Sequence, residues 1–493
     1  MRARDRRLAR LVGVALFAYY LLIAGGHHYS IDGIVMFQSA KQLFFRHSLV
    51  LDPPVRWGPD VIRANPFSIG FTLAYLPALT LASPLFYWMP SLQLTPYDPV
   101  APRNPALYGN LAYLLCAWLN PLITALTGSL VFVIARRLQL TPGWAVTTAL
   151  VYGVASPAAA YARYDFAQPL AGLALTAAVC ALLDVGRAGA RRSLVTAGGA
   201  LGAMFVTRPD LGVLIAWIGA WLAVDARRAG LRAVALRVSP LAVTTTAALA
   251  LYLWANHARF GQWTQTGHAP VTWLFSLSGS RLVEGALGLL LSPGHGLLIF
   301  YPLAWLAVPG LYRLVRERHP AGTLCSGLIV TAFVFYACYR GWWAGWSWGP
   351  RFFVPLLPLL TVAATCWAVR GRRRGVPWRT RLFAGLAGLG AVIAGNGILF
   401  DFVLYYRWLE KVVRMPETAA SQFDVVASPL VSGWRFLPTT SVDLLLLRMG
   451  EFAGRGGTIA AVLIASVLLA CLVWSGRRIR EALREEASSP VSS

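Results

Sequence analysis

One aspartate stands where a carboxylate could have a functional role at a membrane surface. Asp32 lies in the segment HHYSIDG at 27–33, directly after the first apolar run of the chain. A carboxylate at the outer end of a membrane helix lies where water, lipid headgroups and the mouth of a cavity meet. The alternative is a structural role, because aspartate before glycine is also common in turns. Both roles for Asp32 stay open on position alone.

A second aspartate occupies a short polar turn further along the chain. Asp165 lies in YARYDFAQP at 161–169, before another apolar run. It could be a second catalytic acid, or it could cap the helix that opens at Gln168-Pro169, since proline favours the first helical turn. The two roles are compatible. Arg163 lies two residues before Asp165, where it could tune the charge of the carboxylate and contact a substrate.

Two arginines lie where a guanidinium group could bind an anion. Arg208 belongs to the charged turn TRPD at 207–210, between two short apolar runs, and Arg351 begins an apolar run after WSWGP. A charge at the end of a membrane helix is costly unless it faces water, an acid or an anion. Arg208 could instead form a local ion pair with Asp210. Arg351 could be an interfacial arginine that extends its head to water among belt tryptophans.

Aromatic and histidine residues lie close to these charges in the sequence. The stretch YRGWWAGW at 339–346 has more rings than a membrane belt needs, and rings such as Trp346 suit stacking on sugar faces. The stretch SPGHGLLIFYP at 292–302 contains His295, which could contact a substrate or simply belong to the turn before a helix.

The elements that must position these residues are membrane-spanning helices. Of the 493 residues, 57% are hydrophobic, and apolar runs of about 17–25 residues recur along the chain. Because lipid tolerates helices or closed barrels, and no alternation with period two appears, we predict an all-α integral membrane protein with about twelve spans. The predicted spans are 9–26, 108–135, 144–160, 168–186, 194–207, 211–226, 238–257, 296–315, 321–340, 352–370, 382–404 and 457–476.

The basic residues predict the orientation of these spans. Seven short segments between spans and at the termini hold 27 of the 44 Lys and Arg residues. That asymmetry follows the positive-inside rule and places both termini in the cytosol. The net charge of +24 therefore sets orientation and is not a nucleic-acid footprint. The cytosolic segments are 1–10, 136–143, 187–193, 227–237, 313–319, 370–381 and 477–484.

The outer side of the membrane collects the unusual sequence. We predict an outer loop over 27–107, which contains an amphipathic juxtamembrane helix at 34–47 and an apolar, proline-rich segment at 66–90. A complete crossing by 66–90 would put Arg136 and Arg137 outside, so we interpret it as a re-entrant or interfacial hairpin. Residues 405–456 form a further extracytoplasmic segment. The last span and a cytosolic tail cover 457–493.

Taken in this order, the motifs resemble the polytopic GT-C-type glycosyltransferases, in particular bacterial relatives of protein O-mannosyltransferases and aminoarabinose-lipid transferases. The resemblance covers most of 9–404, and residues 1–404 would form the transmembrane catalytic domain. It rests on the aspartate after the first span, the outer proline-rich segment, the aspartate turn, and the motifs SPGHGLLIFYP and WSWGPRFFVPLLP. Many relatives have a second acidic residue beside the first, whereas this chain has Gly33. That departure weakens a metal-binding role for Asp32 and leaves a base role intact.

The resemblance implies transfer of a sugar from a polyprenyl-phosphate donor to a hydroxyl group of a lipid, glycan or protein. It implies that Asp32 is the general base and Asp165 the second acid. Arg208, Arg351 and Arg63 would bind the donor phosphate. Arg163, His295 and Trp346 are candidate substrate contacts. No cofactor is required; a divalent metal stays open, but no motif supports one.

We therefore predict a polyprenyl-phosphate-dependent, inverting glycosyltransferase in the bacterial plasma (inner) membrane. Its partners would be the lipid-linked donor, membrane lipids and the acceptor, without nucleic acid. The alternatives are a transporter or flippase for a lipid-linked sugar, which would favour ionisable residues at mid-span, and an inactive scaffold subunit with the same fold.

Overall fold

The structure is a computed structural model that describes residues 3–57, 60–94, 112–185, 190–268, 274–373, 376–436 and 442–488. The chain forms two compact units. The aspartate unit comprises Gly26–Asn120 and Tyr164–Ser276, and it contains both Asp32 and Asp165. The carboxyl-terminal unit comprises Met1–Gly25, Pro121–Arg163 and Leu277–Ser493.

Helices and one β-hairpin make up the aspartate unit. Numbered along the chain, its elements are α2 (Ile31–Arg46), β1 (Val50–Trp57), β2 (Asp60–Ala64), α3 (Ile69–Ala74), α4 (Leu76–Trp88), α5 (Ser91–Leu94), α9 (Gln168–Leu182), α10 (Ala190–Thr207), α11 (Gly212–Ala226) and α12 (Leu231–Phe260). The expected juxtamembrane helix at 34–47 corresponds to α2, which begins three residues earlier because Ser30 caps it: the Ser30 hydroxyl accepts a hydrogen bond from the Gly33 amide.

The antiparallel hairpin β1–β2 is an addition to the all-α prediction. Its register pairs Val55 with Ile62 and Trp57 with Asp60. The strands were not expected because two prolines interrupt the alternation in β1, and a two-stranded ribbon tolerates proline as a larger sheet would not. Val55 packs with Ile34 and Val35 of α2 in a small apolar cluster, so the hairpin is fixed against the helix that carries Asp32.

Helices joined by turns and loops make up the described part of the carboxyl-terminal unit. Its helices are α1 (Ala3–Leu22), α6 (Leu119–Arg137), α7 (Pro142–Ala155), α8 (Ala158–Tyr161), α13 (Gly279–Leu291), α14 (Leu297–Phe300), α15 (Ala304–Arg316), α16 (Pro320–Ala337), α17 (Leu357–Arg373), α18 (Trp378–Leu399), α19 (Phe402–Trp408), α20 (Pro429–Ser432) and α21 (Leu445–Ser488). Helix α21 has a break at Ala453–Gly454, where the backbone is not helical.

Close helix packing in this unit depends on small residues, as is usual inside membranes. A Cβ atom added at Gly310 of α15 would lie 2.1 Å from the carbonyl oxygen of Ala363 in α17. Any side chain at this position would therefore force the two helices apart. Helix α17 is buried along its apolar length, which identifies it as the centre of the unit.

The all-α membrane class is confirmed. In the described part of the chain, seven helices are long and apolar enough to span a bilayer, and Gln168–Leu182 is a shorter apolar helix. The number of about twelve spans remains a prediction. The apolar segment 66–90 forms α3 and α4, of 6 and 13 residues. They are separated only by Tyr75, whose backbone is also helical, so 69–88 has about the 20 residues that a crossing takes, and the re-entrant interpretation of 66–90 stays a prediction.

Candidate active site

The carboxylate of Asp165 lies at the base of the loop that leads into α2. It has no exposed surface, and residues 28–30 surround it. The Tyr29 amide and the Ser30 hydroxyl donate to Oδ1, each at 3.2 Å. Nδ1 of His28 lies 2.7 Å from Oδ2. These contacts hold the loop before Asp32 in one conformation, because leaving a buried carboxylate without donors would be costly.

Gly33 explains how Asp165 can come so close to α2. A Cβ atom at position 33 would lie 1.9 Å from Oδ2 of Asp165. The carboxylate therefore occupies the space that a side chain beside Asp32 would need. This packing gives a physical reason for glycine at position 33, because any side chain there would displace the buried carboxylate.

Asp32 lies in the first turn of α2 and is half-buried. The positive end of the helix dipole favours a negative charge there. Asp32 also acts electrostatically on the imidazole of His268, as do Arg208 and Asp210. The sequence-predicted base and one sequence-predicted phosphate ligand thus influence the same side chain within one unit. We treat the surroundings of His268 as the centre of the candidate site.

The position of His268 depends on its own turn. Gly267 has φ +76°, and a Cβ there would lie 2.9 Å from Cα of Pro66, so the turn passes directly against the segment that follows β2. The His268 ring lies 5.6 Å from the ring of Phe67. Partial desolvation lowers the pKa of the His268 imidazole, although the side chain keeps exposed surface. The carboxylates of Asp32 and Asp210 oppose that shift.

Arg208 forms the ion pair that was the alternative to phosphate binding. Its Nε donates to Oδ1 of Asp210 at 2.9 Å and its Nη2 to Oδ2 at 2.6 Å. Both side chains keep some exposed surface. A phosphate group would therefore have to share or displace a bidentate carboxylate partner. The backbone just before Arg208 is held by Ser68, whose hydroxyl donates to the Val206 carbonyl.

Arg63 lies on β2, and its side chain is exposed. It belongs to the aspartate unit, but no described contact ties it to Asp32. The nearby buried arginine is Arg259, whose Nη1 donates to the Asn65 carbonyl at 2.7 Å and also to the Phe67 carbonyl. Arg259 therefore holds the backbone between β2 and α3. Arg63 stays a candidate phosphate ligand.

The carboxyl-terminal unit brings together the two motifs that the sequence singled out. Nδ1 of His295 lies 2.9 Å from Oε1 of Gln422, and Nε2 lies 3.1 Å from the Ser347 carbonyl oxygen. The Tyr406 hydroxyl donates to the same carbonyl at 2.9 Å. Burial lowers the pKa of His295 to about 4, so the imidazole is neutral at pH 7. His295 joins the two motifs to the segment 405–436.

Arg351 and Trp346 lie in the same unit as His295. Arg351 is half-buried at the start of a short 3-10 helix, Arg351–Leu356, and its Nη1 donates to the Ala344 carbonyl at 3.2 Å. The Trp346 ring stacks on Tyr406, with centroids 5.6 Å apart and an angle of 12°. Whether Arg351 shares a cavity with Asp32 stays a prediction.

Arg163 has a different environment from the one we expected. Its guanidinium group has no exposed surface, and Nη2 lies 2.7 Å from Oδ2 of Asp443. Nη1 also donates to the Ile398 carbonyl. Such a buried, paired guanidinium is costly to disrupt, so this geometry favours a structural role for Arg163 over a substrate contact.

Sequence reasoning missed His268 and Gln422 as parts of these two networks. His268 was visible only as one member of a glycine turn, and Gln422 had no sequence signal. Among the described residues, no three His, Cys, Asp or Glu side chains come together as metal ligands would. Asp32 and Asp210 are the acids that act electrostatically on His268.

Comparison with solved structures identifies the same fold in ArnT from Cupriavidus metallidurans. The structure bound to undecaprenyl phosphate aligns with a TM-score of 0.50 and 16% identity over 96% of this chain and 76% of ArnT. The apo structure aligns equally well over 98% of this chain. No protein-family model matches the sequence, and no curated protein matches it. The expected GT-C-type membrane architecture is thereby confirmed as a fold.

Proposed function

We propose that this protein is a membrane glycosyltransferase that moves a sugar from a polyprenyl-phosphate donor to a hydroxyl acceptor, with Asp32 as the general base. The observation that carries the proposal is that Asp32, in the first turn of α2, and Arg208 belong to the same compact unit and both act electrostatically on His268. The shared fold with an ArnT structure that is bound to undecaprenyl phosphate supports the class of donor.

The reaction needs one bond to form and one to break. The acceptor hydroxyl would donate its proton to Asp32 while its oxygen attacks the anomeric carbon of the sugar. The bond between that carbon and the phosphate oxygen would break, and polyprenyl phosphate would leave with the electron pair. A single displacement of this kind inverts the anomeric configuration.

Charge that develops on the departing phosphate must be stabilised by cations held in place beforehand. Arg208 is the candidate in the aspartate unit, and Arg63 and Arg351 remain candidates at other positions. For Arg208, bidentate pairing with Asp210 holds the guanidinium in a fixed orientation. In this proposal the phosphate replaces one of the two carboxylate contacts, and the other contact keeps the arginine oriented.

We assign Asp165 a positioning role rather than direct contact with the sugar. Its oxygens are engaged by His28, Tyr29 and Ser30, and the carboxylate is fully buried. The residue therefore acts through the loop that orients Asp32. His268 would be a polar neighbour of the reacting groups.

The proposal can be tested with the purified full-length chain in nanodiscs and a panel of polyprenyl-phosphate sugars, with the mass of the acceptor product as the readout. Asp32→Asn should reduce transfer by about 100- to 10,000-fold, the usual range for loss of a general base. Asp52→Asn is the matched control, since Asp52 is an exposed acid of the same unit that pairs with Arg46 at the surface.

Transfer at the wild-type rate by Asp32→Asn, with wild-type thermal stability, would exclude Asp32 as the base. Absence of transfer with every donor, together with movement of an intact lipid-linked sugar across the membrane of proteoliposomes that contain the same chain, would instead favour the flippase alternative. An inactive scaffold would do neither.

A further inference from the structure

A cavity of about 440 Å³ lies within the carboxyl-terminal unit. Most of its lining residues belong to the segment 405–436, which has no role in the proposed transfer reaction. Its floor includes the buried residues Tyr406, Leu409 and Gln422, and charged side chains line its rim. The volume falls in the range of small-molecule sites, about 300–1,000 Å³. It is large enough for one or two sugar rings.

The wall of the cavity is built by a specific backbone arrangement. A π-helical turn, Leu409–Val413, follows α19, and Arg414 ends it in the left-handed conformation with φ +57°. The Met415 amide donates back to the Leu409 carbonyl at 3.0 Å, which closes the turn. Turns of π type are frequent at functional sites. Here the turn places Arg414 and Met415 along the cavity.

The floor is held by the motif residues described above. Gln422 contacts His295, and the Gly294 amide donates to the Gln422 carbonyl at 3.1 Å. The Tyr406 ring is fixed by its hydroxyl bond to Ser347 and by stacking on Trp346. The cavity is therefore pre-formed, and the two sequence motifs fix its floor.

The side chains around the cavity match the chemistry of a sugar. Trp346, which is half-buried and stacks on Tyr406, provides a rigid aromatic surface for the apolar face of a ring. Glu410 and Glu417 can accept hydrogen bonds from hydroxyl groups, and Arg414 can donate to them. Glu417 is itself oriented by the Trp343 indole, which donates to it at 2.9 Å.

Other classes of ligand fit less well. A hydrocarbon chain would remove water from three charged side chains without replacing its hydrogen bonds. An anion would meet two carboxylates against one guanidinium group. A polyhydroxylated, uncharged ring satisfies both the aromatic surface and the charged rim.

We propose that this cavity binds an uncharged saccharide, either the sugar of the donor or the glycan of the acceptor. The inference deepens the proposed glycosyltransferase function by adding a saccharide site in the carboxyl-terminal unit, and it rests on that function only for the source of the sugar.

The test is ligand-observed saturation-transfer NMR on the full-length protein in phospholipid nanodiscs, because detergents with sugar headgroups would compete. Mannobiose and N-acetylchitobiose are the neutral probes, with glucuronate and choline as charged probes. We expect a neutral probe to bind in about the millimolar range. Trp346→Ala should weaken that binding by about tenfold or more, whereas Trp346→Phe should retain most of it. The double variant Glu410→Gln with Glu417→Gln should also weaken binding of the neutral probe.

The matched control is Trp434→Ala, which removes an exposed tryptophan of the same segment that does not line the cavity. Unchanged binding in Trp346→Ala, no binding of either neutral probe, or tighter binding of choline or glucuronate would overturn the proposal. Asp32→Asn should leave saccharide binding intact. A failure of the assignment of Asp32 as the base can therefore be told apart from a failure of the saccharide site. In the transfer assay, the neutral probe should compete with either the acceptor or the donor, and this identifies which of them supplies the saccharide that the cavity binds. Competition with neither would overturn the assignment of the cavity as a substrate site.

Discussion

At the scale of single residues, the main structural feature is the contact between Asp165 and Gly33. The sequence indicated an acid at each of positions 32 and 165, but it gave no sign that one would support the other. The structure separates their environments: Asp32 keeps exposed surface, whereas Asp165 is fully buried beneath the first turn of α2. A buried carboxylate surrounded by donors orients its neighbours more effectively than it contacts a substrate.

This separation predicts the effect of a single added methyl group. Gly33→Ala would place Cβ 1.9 Å from Oδ2 of Asp165, so either the carboxylate or α2 must move. We expect a loss of about 1–3 kcal/mol in the free energy of unfolding, as for other overpacked sites. We also expect a fall in kcat because Asp32 is displaced. Gly143→Ala is the control, since nothing lies within 4 Å of its added Cβ. Wild-type stability and kcat in Gly33→Ala would contradict the packing argument.

Arg208 offers a second test at this scale, because its two roles predict different results. If it binds the donor phosphate, Arg208→Ala should lose about 1.5–3 kcal/mol of transition-state stabilisation, or about 10- to 150-fold in kcat/KM. Arg208→Lys should rescue only part of this, since lysine lacks the planar geometry. The same comparison applies to Arg351, where a purely interfacial arginine would tolerate lysine without effect.

If Arg208 only pairs with Asp210, the kinetics should stay at wild-type values while stability falls equally in Arg208→Ala and Asp210→Asn. Donor titrations and thermal unfolding of these variants distinguish the two cases. The structure makes Asp210→Asn the informative comparison, because it removes the charge of the carboxylate partner and retains the guanidinium.

At the scale of elements, hydrophobic patterning predicted most helices and missed what joins them. The predicted spans 168–186 and 211–226 correspond to α9 and α11, because long apolar runs leave the backbone no alternative in lipid. The first span was expected at 9–26, but α1 begins at Ala3, since its arginine-rich start continues the helix. The hairpin β1–β2 was missed because tertiary packing on α2, rather than alternation, stabilises it.

His295 joins the SPGHGLLIFYP motif to the segment 405–436, and its burial predicts that the free energy of unfolding depends on pH. Burial lowers the pKa of His295 to about 4, below its ordinary value of about 6.5. The unfolded chain therefore binds a proton near pH 6.5 that the folded chain does not bind until about pH 4. Stability from this group is present above pH 6.5 and is lost as the pH falls from about 6.5 to 4, by up to about 3 kcal/mol.

Thermal unfolding of the protein in nanodiscs across this pH range measures the effect. His295→Gln should be less stable than the wild type at pH 7 but should show a shallower decline toward pH 4. His47→Asn, at an exposed position, should keep the wild-type slope. Parallel slopes for wild type and His295→Gln would show that the imidazole is not the group responsible.

At the scale of the whole molecule, the fold class was predictable and the site was only partly so. Composition and the lengths of apolar runs determine a helical membrane protein, and the ordered motifs indicated the fold shared with ArnT. The site depends on contacts between distant residues: His28 and Asp165 are 137 positions apart, and His295 and Gln422 are 127 apart. Sequence periodicity contains no information about such pairs, so Asp32 and Arg208 were predicted as individuals and His268 was not.

Membrane topology is the remaining property at this scale, and it depends on whether the segment 66–90 crosses the bilayer. Together its two helices are about as long as a crossing, but a crossing would move every later arginine cluster to the opposite side. We therefore predict that the connection between α6 and α7 is cytosolic and that the turn after α12 is outside. Gln139 and Gln262 are exposed residues in these two places, whereas Leu140 is buried and would react slowly.

Gln139→Cys and Gln262→Cys, each made in a background with Cys471→Ala, can be treated in intact cells with a membrane-impermeant maleimide. Cys471 is replaced because the other five native cysteines are buried. The positive-inside rule predicts that Gln262→Cys reacts at once and that Gln139→Cys reacts only after the inner face is opened. Labelling of Gln139→Cys in intact cells would mean that 66–90 crosses the membrane. Every arginine cluster from Arg136 onward would then be on the opposite side, and the turn that contains His268 would face the cytosol. Asp32, which precedes 66–90, would stay outside, so such a result would also separate it from the cations that the proposed reaction needs.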